Sequence, residues 1–100
     1  MGTSSLQDQP VVGQITLRYW ASARARAGVA EEQVDVPGPV TLASLVDVAL
    51  ARRAGDPLLQ AVLASCSVLV GDRPVGTEDP DAVLVAPGES VEFLPPFAGG

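Results

Sequence analysis

Two segments near the start of the chain alternate apolar and polar side chains with the period of a half-buried β-strand. The first covers residues 14–20 and the second covers residues 31–36, which stop at the breaker Pro37-Gly38-Pro39. Residues 21–27 between them predict one short helical turn that ends at Gly28. The two strands therefore predict an antiparallel hairpin. Its inward-facing residues are Ile15, Leu17, Tyr19, Val34 and Val36.

The clearest helix covers residues 41–54, where apolar residues recur at i, i+3, i+4, i+7 and i+8 and form one stripe. Thr41 can act as the N-cap through its side-chain oxygen. Arg52 and Arg53 fall in the predicted last turn, where positive charge favours the helix dipole, and Gly55 is expected just after the end. The stripe consists of Leu42, Leu45, Val46, Ala49 and Leu50.

The second half of the chain contains shorter apolar runs separated by turns. We expect a further turn of helix, a buried strand with its turn, a short strand, a second turn and a final strand. The helical turn is expected at residues 58–63, the buried strand at 67–70 and its turn at 71–74. The short strand follows at residues 82–85, the second turn at 87–90 and the final strand at 91–94.

The order of elements is hairpin, helix, strand, short strand and strand, within a single domain. The later strands must return to the sheet of the hairpin, and one helix can cover one face of that sheet. The sequence therefore predicts an α+β ubiquitin-like β-grasp, a mixed sheet with one main helix packed on one face. We expect this domain at residues 14–94, a flexible leader at residues 1–13 and an extended reactive C-terminal tail at residues 95–100.

The charge balance excludes several classes of partner. The chain has twelve acidic residues and six basic ones, all arginine, and its net charge is −6. Such a chain gains nothing from nucleic-acid phosphates or an anionic membrane, so we expect it to bind a basic protein surface instead. No run is apolar enough to cross a bilayer and the N-terminus lacks a signal-peptide core, which indicates a cytoplasmic protein.

Side chains that could carry chemistry are few. Cys66 is the single cysteine, so no internal disulfide can form. A cysteine before an apolar strand is typical of a small buried hydrophobe, although a role in sulfur chemistry is the alternative. Asp79 and Asp81 flank Pro80 in a predicted solvated turn and are too isolated for a metal site. We therefore expect no metal site, while these two roles of Cys66 remain alternatives.

The final eight residues are the most informative segment of the chain. Pro95 and Pro96 restrict the backbone and hold the outgoing chain extended. Gly99 and Gly100 have no Cβ and can enter a narrow slot, with Phe97 expected to anchor in a partner's channel. The segment predicts either a carboxylate on a thin stalk, suited to another protein's active site, or an ordinary flexible terminus.

Four short motifs stand out along the chain. They are Tyr19-Trp20-Ala21 with Arg24 and Gly28, Val40-Thr41-Leu42, Pro87-Gly88-Glu89-Ser90-Val91, and the segment from Phe93 to Gly100. A diglycine alone is a weak motif, but Phe-Leu-Pro-Pro before a final diglycine, after this order of elements, is specific. Over residues 14–100 the chain resembles the family of molybdopterin synthase small subunits, in the MoaD/ThiS group of ubiquitin-like sulfur carriers.

This resemblance implies that the reactive atom lies on the chain's own terminus. An adenylating and sulfurtransferase enzyme of the ubiquitin-activating type would use ATP to activate the Gly100 carboxylate, next to Gly99, and convert it to a thiocarboxylate. The tail would then donate sulfur for the molybdopterin dithiolene inside the large subunit of molybdopterin synthase, a step of molybdenum cofactor biosynthesis. The chain itself would bind no cofactor and would not be catalytic alone.

Apolar residues on the polar side of the predicted strands indicate a partner surface. We expect Tyr19 and Phe93 to face the helix, which places Trp20 and Leu94, as exposed groups, on the opposite face. Trp20 alternatively covers a sheet edge, and Arg24 either pairs with an acid of the partner or stays solvated. The predicted tail contacts are Pro95, Pro96, Phe97 and Ala98.

Three other functions are compatible with these residues. The chain would be a sulfur carrier for thiamin or cysteine biosynthesis, a ubiquitin-like modifier joined to lysines of target proteins, or an interaction module with a disordered tail. The Pro95-Pro96 pair favours the molybdopterin branch among the carriers. The pathway itself depends on the acceptor enzyme rather than on the carrier.

Overall fold

The computed structural model describes residues 13–96, which form seven strands and three helices. The strands are β1 Gly13–Tyr19, β2 Glu31–Val36, β3 Val40–Thr41, β4 Ser67–Val70, β5 Arg73–Pro74, β6 Leu84–Val85 and β7 Ser90–Leu94. The helices are α1 Ala21–Ala27, α2 Leu42–Ala51 and α3 Pro57–Ser65.

Five of the strands form a mixed sheet in the order β2-β1-β7-β4-β5. β1 and β2 make the predicted antiparallel hairpin, while β7 lies parallel to β1 and antiparallel to β4. Because β1 and β7 are parallel, the chain between them must cross over the sheet, and it brings the helices onto one face. This is the α+β β-grasp arrangement that the order of elements predicts.

One face of the sheet packs against the helices and forms the core. Tyr19 and Phe93 are 2% and 1% exposed, and their rings stack with centroids 5.7 Å apart. Leu45 and Ala49 of α2 and Leu59 of α3 are buried in the same cluster. The predicted inward facing of Tyr19 and Phe93 is confirmed, and the stacked pair joins the first and last strands of the fold.

Helix α2 begins where the sequence predicts but ends three residues earlier than residue 54. The Thr41 hydroxyl oxygen accepts a hydrogen bond from the Ser44 backbone N–H at 3.1 Å, which is the predicted N-cap. At the other end, the Gly55 N–H donates to the Leu50 carbonyl oxygen at 2.8 Å. Ala54 and Gly55 have φ values of +55° and +70°, so the left-handed turn that closes the helix begins one residue before the expected glycine.

Arg52 and Arg53 therefore follow α2, and the prediction that they lie in its last turn is wrong. Both guanidinium groups pair with Glu32 of β2, at 3.2 and 2.9 Å respectively. Arg53 also donates to the Ala49 carbonyl oxygen at 2.8 Å, and the Tyr19 hydroxyl donates to Glu32. These contacts tie the end of α2 to the hairpin, which is a long-range attraction that no local pattern contains.

Glu32 is expected to make the stability of the fold depend on pH. Partial burial acts to raise the pKa of its carboxyl, but hydrogen bonds from Arg53 and Tyr19 outweigh it and hold that pKa below its usual range. A lowered pKa contributes stability above the ordinary value of about 4.3 and loses it as the pH falls through the folded-state pKa. Wild type should therefore lose more of its free energy of unfolding than Glu32→Gln on acidification.

Urea denaturation at about pH 6 and about pH 3 measures this difference. Glu78→Gln is the matched control, because the Glu78 side chain is exposed and has no hydrogen-bond partner within residues 13–96. Equal pH dependence in wild type and Glu32→Gln would contradict the role assigned to the Glu32 contacts.

Helix α3 is longer than the predicted segment of residues 58–63. The Asp56 carboxylate caps it by accepting from the Leu58 N–H at 3.0 Å, and Pro57 occupies the first turn, where its missing N–H costs nothing. With nine residues it nearly matches the ten of α2. The helical layer over the sheet is thus shared among helices, with α2 only slightly the longest.

Two further details of the later strands differ from the prediction. Arg73 and Pro74 form strand β5, and only Gly71 and Asp72 make the turn before it, with Gly71 at a φ of +61°. Strand β6 pairs with β3 in a separate two-stranded sheet and does not join the main one. Both differences depend on which strands meet in space.

Candidate functional site

The tail leaves the domain from the middle of the sheet. Strand β7 lies between β1 and β4, with Phe93 in register with Tyr19 and Leu94 in register with Ser67. Beyond Leu94, Pro95 is half-buried and Pro96 is exposed. The residues from which the tail departs are therefore held by strands on both sides. The predictions for Phe97, Ala98, Gly99 and Gly100 lie outside the described residues.

The sheet face opposite the helices carries three large apolar residues near this exit. We call Trp20, Leu69 and Leu94 the outer-face patch. Leu69 lies opposite Glu92 in the β4–β7 register, and Leu94 is two residues further along the same face of β7. The Trp20 indole N–H donates to Glu92 Oε1 at 3.0 Å. Glu92 thus connects the three residues of the patch.

Trp20 presents its ring to solvent while its position is held by polar contacts. Its side chain is 45% exposed, and the Arg18 guanidinium lies 5.9 Å from the ring centroid. The Trp20 N–H donates to the Phe93 carbonyl oxygen at 3.2 Å, which extends the β1–β7 pairing by one residue. The next residue, Ala21, has a φ of +48°, uncommon for a residue with a Cβ. This turn directs the chain from β1 into α1.

Leu94 lies on the outer face as predicted, but its side chain is half-buried rather than exposed. Leu69 is likewise half-buried, and the prediction of a buried strand at residues 67–70 did not identify it as an outward-facing residue. The signal was available in the alternation of the strand. Val68 and Val70 face the core, and this places Leu69 outward.

Arg24 lies on the exposed face of α1 and makes no ion pair within residues 13–96. Its neighbour Arg26 instead pairs with Asp56 at 2.7 Å, which connects α1 to the start of α3. Arg24 is therefore accessible to an acidic group of a partner. Both predicted alternatives, pairing with such a group and remaining solvated, are compatible with this position.

The remaining candidate chemistry is not assembled into a site. Burial raises the pKa of the Cys66 thiol to about 11, and its Sγ donates to the Val62 carbonyl oxygen at 3.2 Å. Asp79 accepts from the Asp81 N–H at 2.9 Å within its turn. Residues 13–96 contain no group of three or more side chains that could hold a metal ion. In the same range, no helix has the length and apolar content to cross a bilayer.

Comparison with protein families matches residues 17–100 to the ThiS family. A curated relative, the molybdopterin synthase sulfur carrier subunit of Aspergillus niger, is 33% identical over 84 residues. That alignment covers 84% of this chain and 91% of the relative. The matched family region therefore includes the end of the chain as well as the sheet and helices.

Solved structures show the same fold. SAMP1 from Haloferax volcanii superposes with a TM-score of 0.69 at 21% identity, covering 88% of this chain and 100% of that one. Subunit 1 and 2 of the molybdopterin-converting factor from Helicobacter pylori form a complex whose matching chain gives a TM-score of 0.58 at 18% identity, with 87% and 99% coverage. These likenesses establish the β-grasp fold, and the family match over residues 17–100 shows that the chain belongs to the ThiS family.

Proposed function

We propose that this protein is the sulfur carrier of molybdopterin synthesis, with the Gly100 carboxylate as the site that carries sulfur. The observation that supports it best is the extent of the family match, which runs to residue 100 and so includes Gly99 and Gly100. The relative that is 33% identical has the same role in its name. Residues 13–96 supply the scaffold and the partner surface, and the chemistry takes place at the terminus.

The activation step follows from the chemistry of a carboxylate, which is a poor acyl donor. An adenylating enzyme lets a Gly100 carboxylate oxygen attack the α-phosphate of ATP, releasing pyrophosphate and forming an acyl adenylate. A sulfide equivalent then displaces AMP and leaves a thiocarboxylate. Because the reaction consumes ATP, we place it in the cytoplasm. ATP is a substrate of the activating enzyme, and the carrier holds no cofactor.

The delivery step requires a second protein. The thiocarboxylate sulfur attacks a carbon of the pterin precursor and displaces an oxygen substituent, which leaves with the electron pair of the broken C–O bond. Water then hydrolyses the resulting thioester, which leaves the sulfur on the pterin and restores the carboxylate. We assign this step to a large subunit that receives the tail. The outer-face patch lies beside the exit of the tail from β7, so binding there would also direct residues 95–100 into the active site.

Truncating the outer-face patch should weaken this complex. We expect Trp20→Ala and Leu94→Ala each to cost about 1–3 kcal/mol of binding free energy, the usual range for apolar anchors at an interface. Leu84→Ala is the matched control, because Leu84 is 59% exposed but lies on β6 in the small sheet. Calorimetric titration with the large subunit measures the three affinities. Equal loss for Leu84→Ala would remove the patch from the proposal.

A ubiquitin-like modifier is the second candidate, since the fold of this chain is also that of the small archaeal modifier protein SAMP1. The apolar Phe97-Ala98 segment favours a carrier, because it suits one buried channel better than many different target surfaces. Tagged protein in its native host should accordingly remain as free chain and noncovalent complex. A ladder of lysine-linked conjugates that disappears when Gly99-Gly100 is deleted would establish the modifier instead.

A further inference from the structure

A concave surface lies on the helix side of the sheet, away from the outer-face patch. It is a groove of about 380 Å³ between α2, α3 and the loop of residues 75–80, and we call it the helix-side groove. Phe93 and Val75 are buried on its floor, while Val46 and Leu50 on its wall are only half-buried. Ligand pockets usually measure about 300–1,000 Å³, so this groove has room for a few apolar side chains.

The charged side chains that line the groove are both acidic. Asp47 of α2 and Glu78 of the loop line it with exposed side chains, and neither has a hydrogen bond or ion pair within residues 13–96. Gln60 adds an uncharged polar group, and no arginine of the described range lines the groove. Negative charge around an apolar floor attracts positive charge on whatever binds there.

Other parts of the chain do not match this surface. Residues 1–13 contain Asp8 and no basic side chain, and the C-terminal segment contributes a further negative charge through its carboxylate. A second copy would offer Trp20 beside Arg18, but it carries the same net charge of −6, and its Arg18 and Arg26 are already paired with Glu31 and Asp56. A different protein therefore supplies the required combination of apolar anchors and free positive charge better than a second copy does.

We propose that the helix-side groove docks a short segment of a partner protein in which large apolar side chains are flanked by lysine or arginine. The apolar side chains cover the half-buried wall, and the basic residues face Asp47 and Glu78. The groove and the outer-face patch lie on opposite faces of the sheet, with Phe93 reaching the groove and its neighbour Leu94 in the patch. One carrier could therefore bind two proteins at once. This proposal does not depend on the sulfur chemistry.

The test uses the full chain, isotope-labelled, and a short synthetic peptide of alternating lysine and leucine with a central phenylalanine. We expect saturable NMR shift changes at Val46, Ala64 and Val75, with affinity that falls as salt is added. Asp47→Asn and Glu78→Gln should each weaken binding about two- to fivefold, the scale of one exposed charge pair. Asp72→Asn, an exposed acid outside the groove, should leave the affinity unchanged.

A steric variant separates the groove from general electrostatic attraction. Ala64 and Ala61 are both exposed on α3, but only Ala64 lines the groove, so Ala64→Glu should block the peptide and Ala61→Glu should not. Equal binding by a peptide with glutamate in place of lysine would overturn the proposal. So would shift changes confined to the outer face, or a monomer–dimer equilibrium that occupies the groove with a second copy.

Discussion

A chain that lacks Gly100 should gain no sulfur when it is incubated with its adenylating enzyme, ATP and a sulfur donor. The intact chain should gain the mass of one oxygen-to-sulfur exchange at its C-terminus. The shortened chain still ends in a glycyl carboxylate, that of Gly99, but this group falls one residue, about 3.5 Å, short of the α-phosphate of ATP. The shift also draws Ala98, with its Cβ, into the slot that Gly99 is expected to occupy. Intact-protein mass spectrometry measures the outcome, and we expect complete loss rather than a reduction.

Two variants make this result specific to the terminus. A chain extended beyond Gly100 should also fail, because its carboxylate is displaced from the position of Gly100. Deletion of residues 2–12 should leave charging intact, since the family match begins at residue 17 and β1 begins at Gly13. Efficient sulfur incorporation by the chain without Gly100 would disprove the sulfur-carrier proposal, whatever the state of the folded domain.

Substitutions at two adjacent residues of β7 should have opposite consequences. Phe93 is 1% exposed and stacks on Tyr19, so Phe93→Ala should cost about 3–5 kcal/mol of the free energy of unfolding. Small domains have only about 5–15 kcal/mol in total, so much of the stability would be lost. Leu94→Ala should cost much less stability, because Leu94 is half-buried on the outer face and not part of the core, and it should weaken binding to the large subunit.

Urea denaturation and the binding titration together distinguish these outcomes. Phe93→Leu should recover much of the stability lost in Phe93→Ala, since it refills most of the cavity with apolar atoms. If Leu94→Ala destabilised the fold as strongly as Phe93→Ala, the assignment of Leu94 to the partner surface would be wrong. The comparison therefore tests the facing of β7 independently of the chemistry at Gly100.

The parts of the protein that the sequence alone determined are those governed by neighbouring residues. Alternation predicted β1 and β2 and the inward facing of Tyr19 and Phe93, which the structure confirms. Thr41 as N-cap and the end of α1 at Gly28 were also predicted correctly, and Gly28 closes α1 at a φ of +84°. A cap or a strand period depends on contacts within a few residues, so it can be derived without knowing the fold.

The chemistry that we propose for the terminus rests on the sequence. Pro95 and Pro96 restrict the backbone, and Gly99 and Gly100 widen the range of backbone conformations, through covalent structure alone. Their effect on the backbone can therefore be derived without any tertiary contact. The family match over residues 17–100 agrees with the resemblance drawn from these motifs. Which pathway the carrier serves depends on an acceptor enzyme, and this information is not contained in the carrier's local patterns.

Only the tertiary structure decided where distant segments meet. Arg52 and Arg53 follow the helix and pair with Glu32 of the hairpin, and β6 pairs with β3 instead of the main sheet. Leu69 joins Leu94 on one face because β4 aligns with β7 in one register. The helix-side groove exists because two helices and a loop leave part of the core uncovered. All of these depend on pairings between residues far apart in the chain, and local periodicity does not specify them.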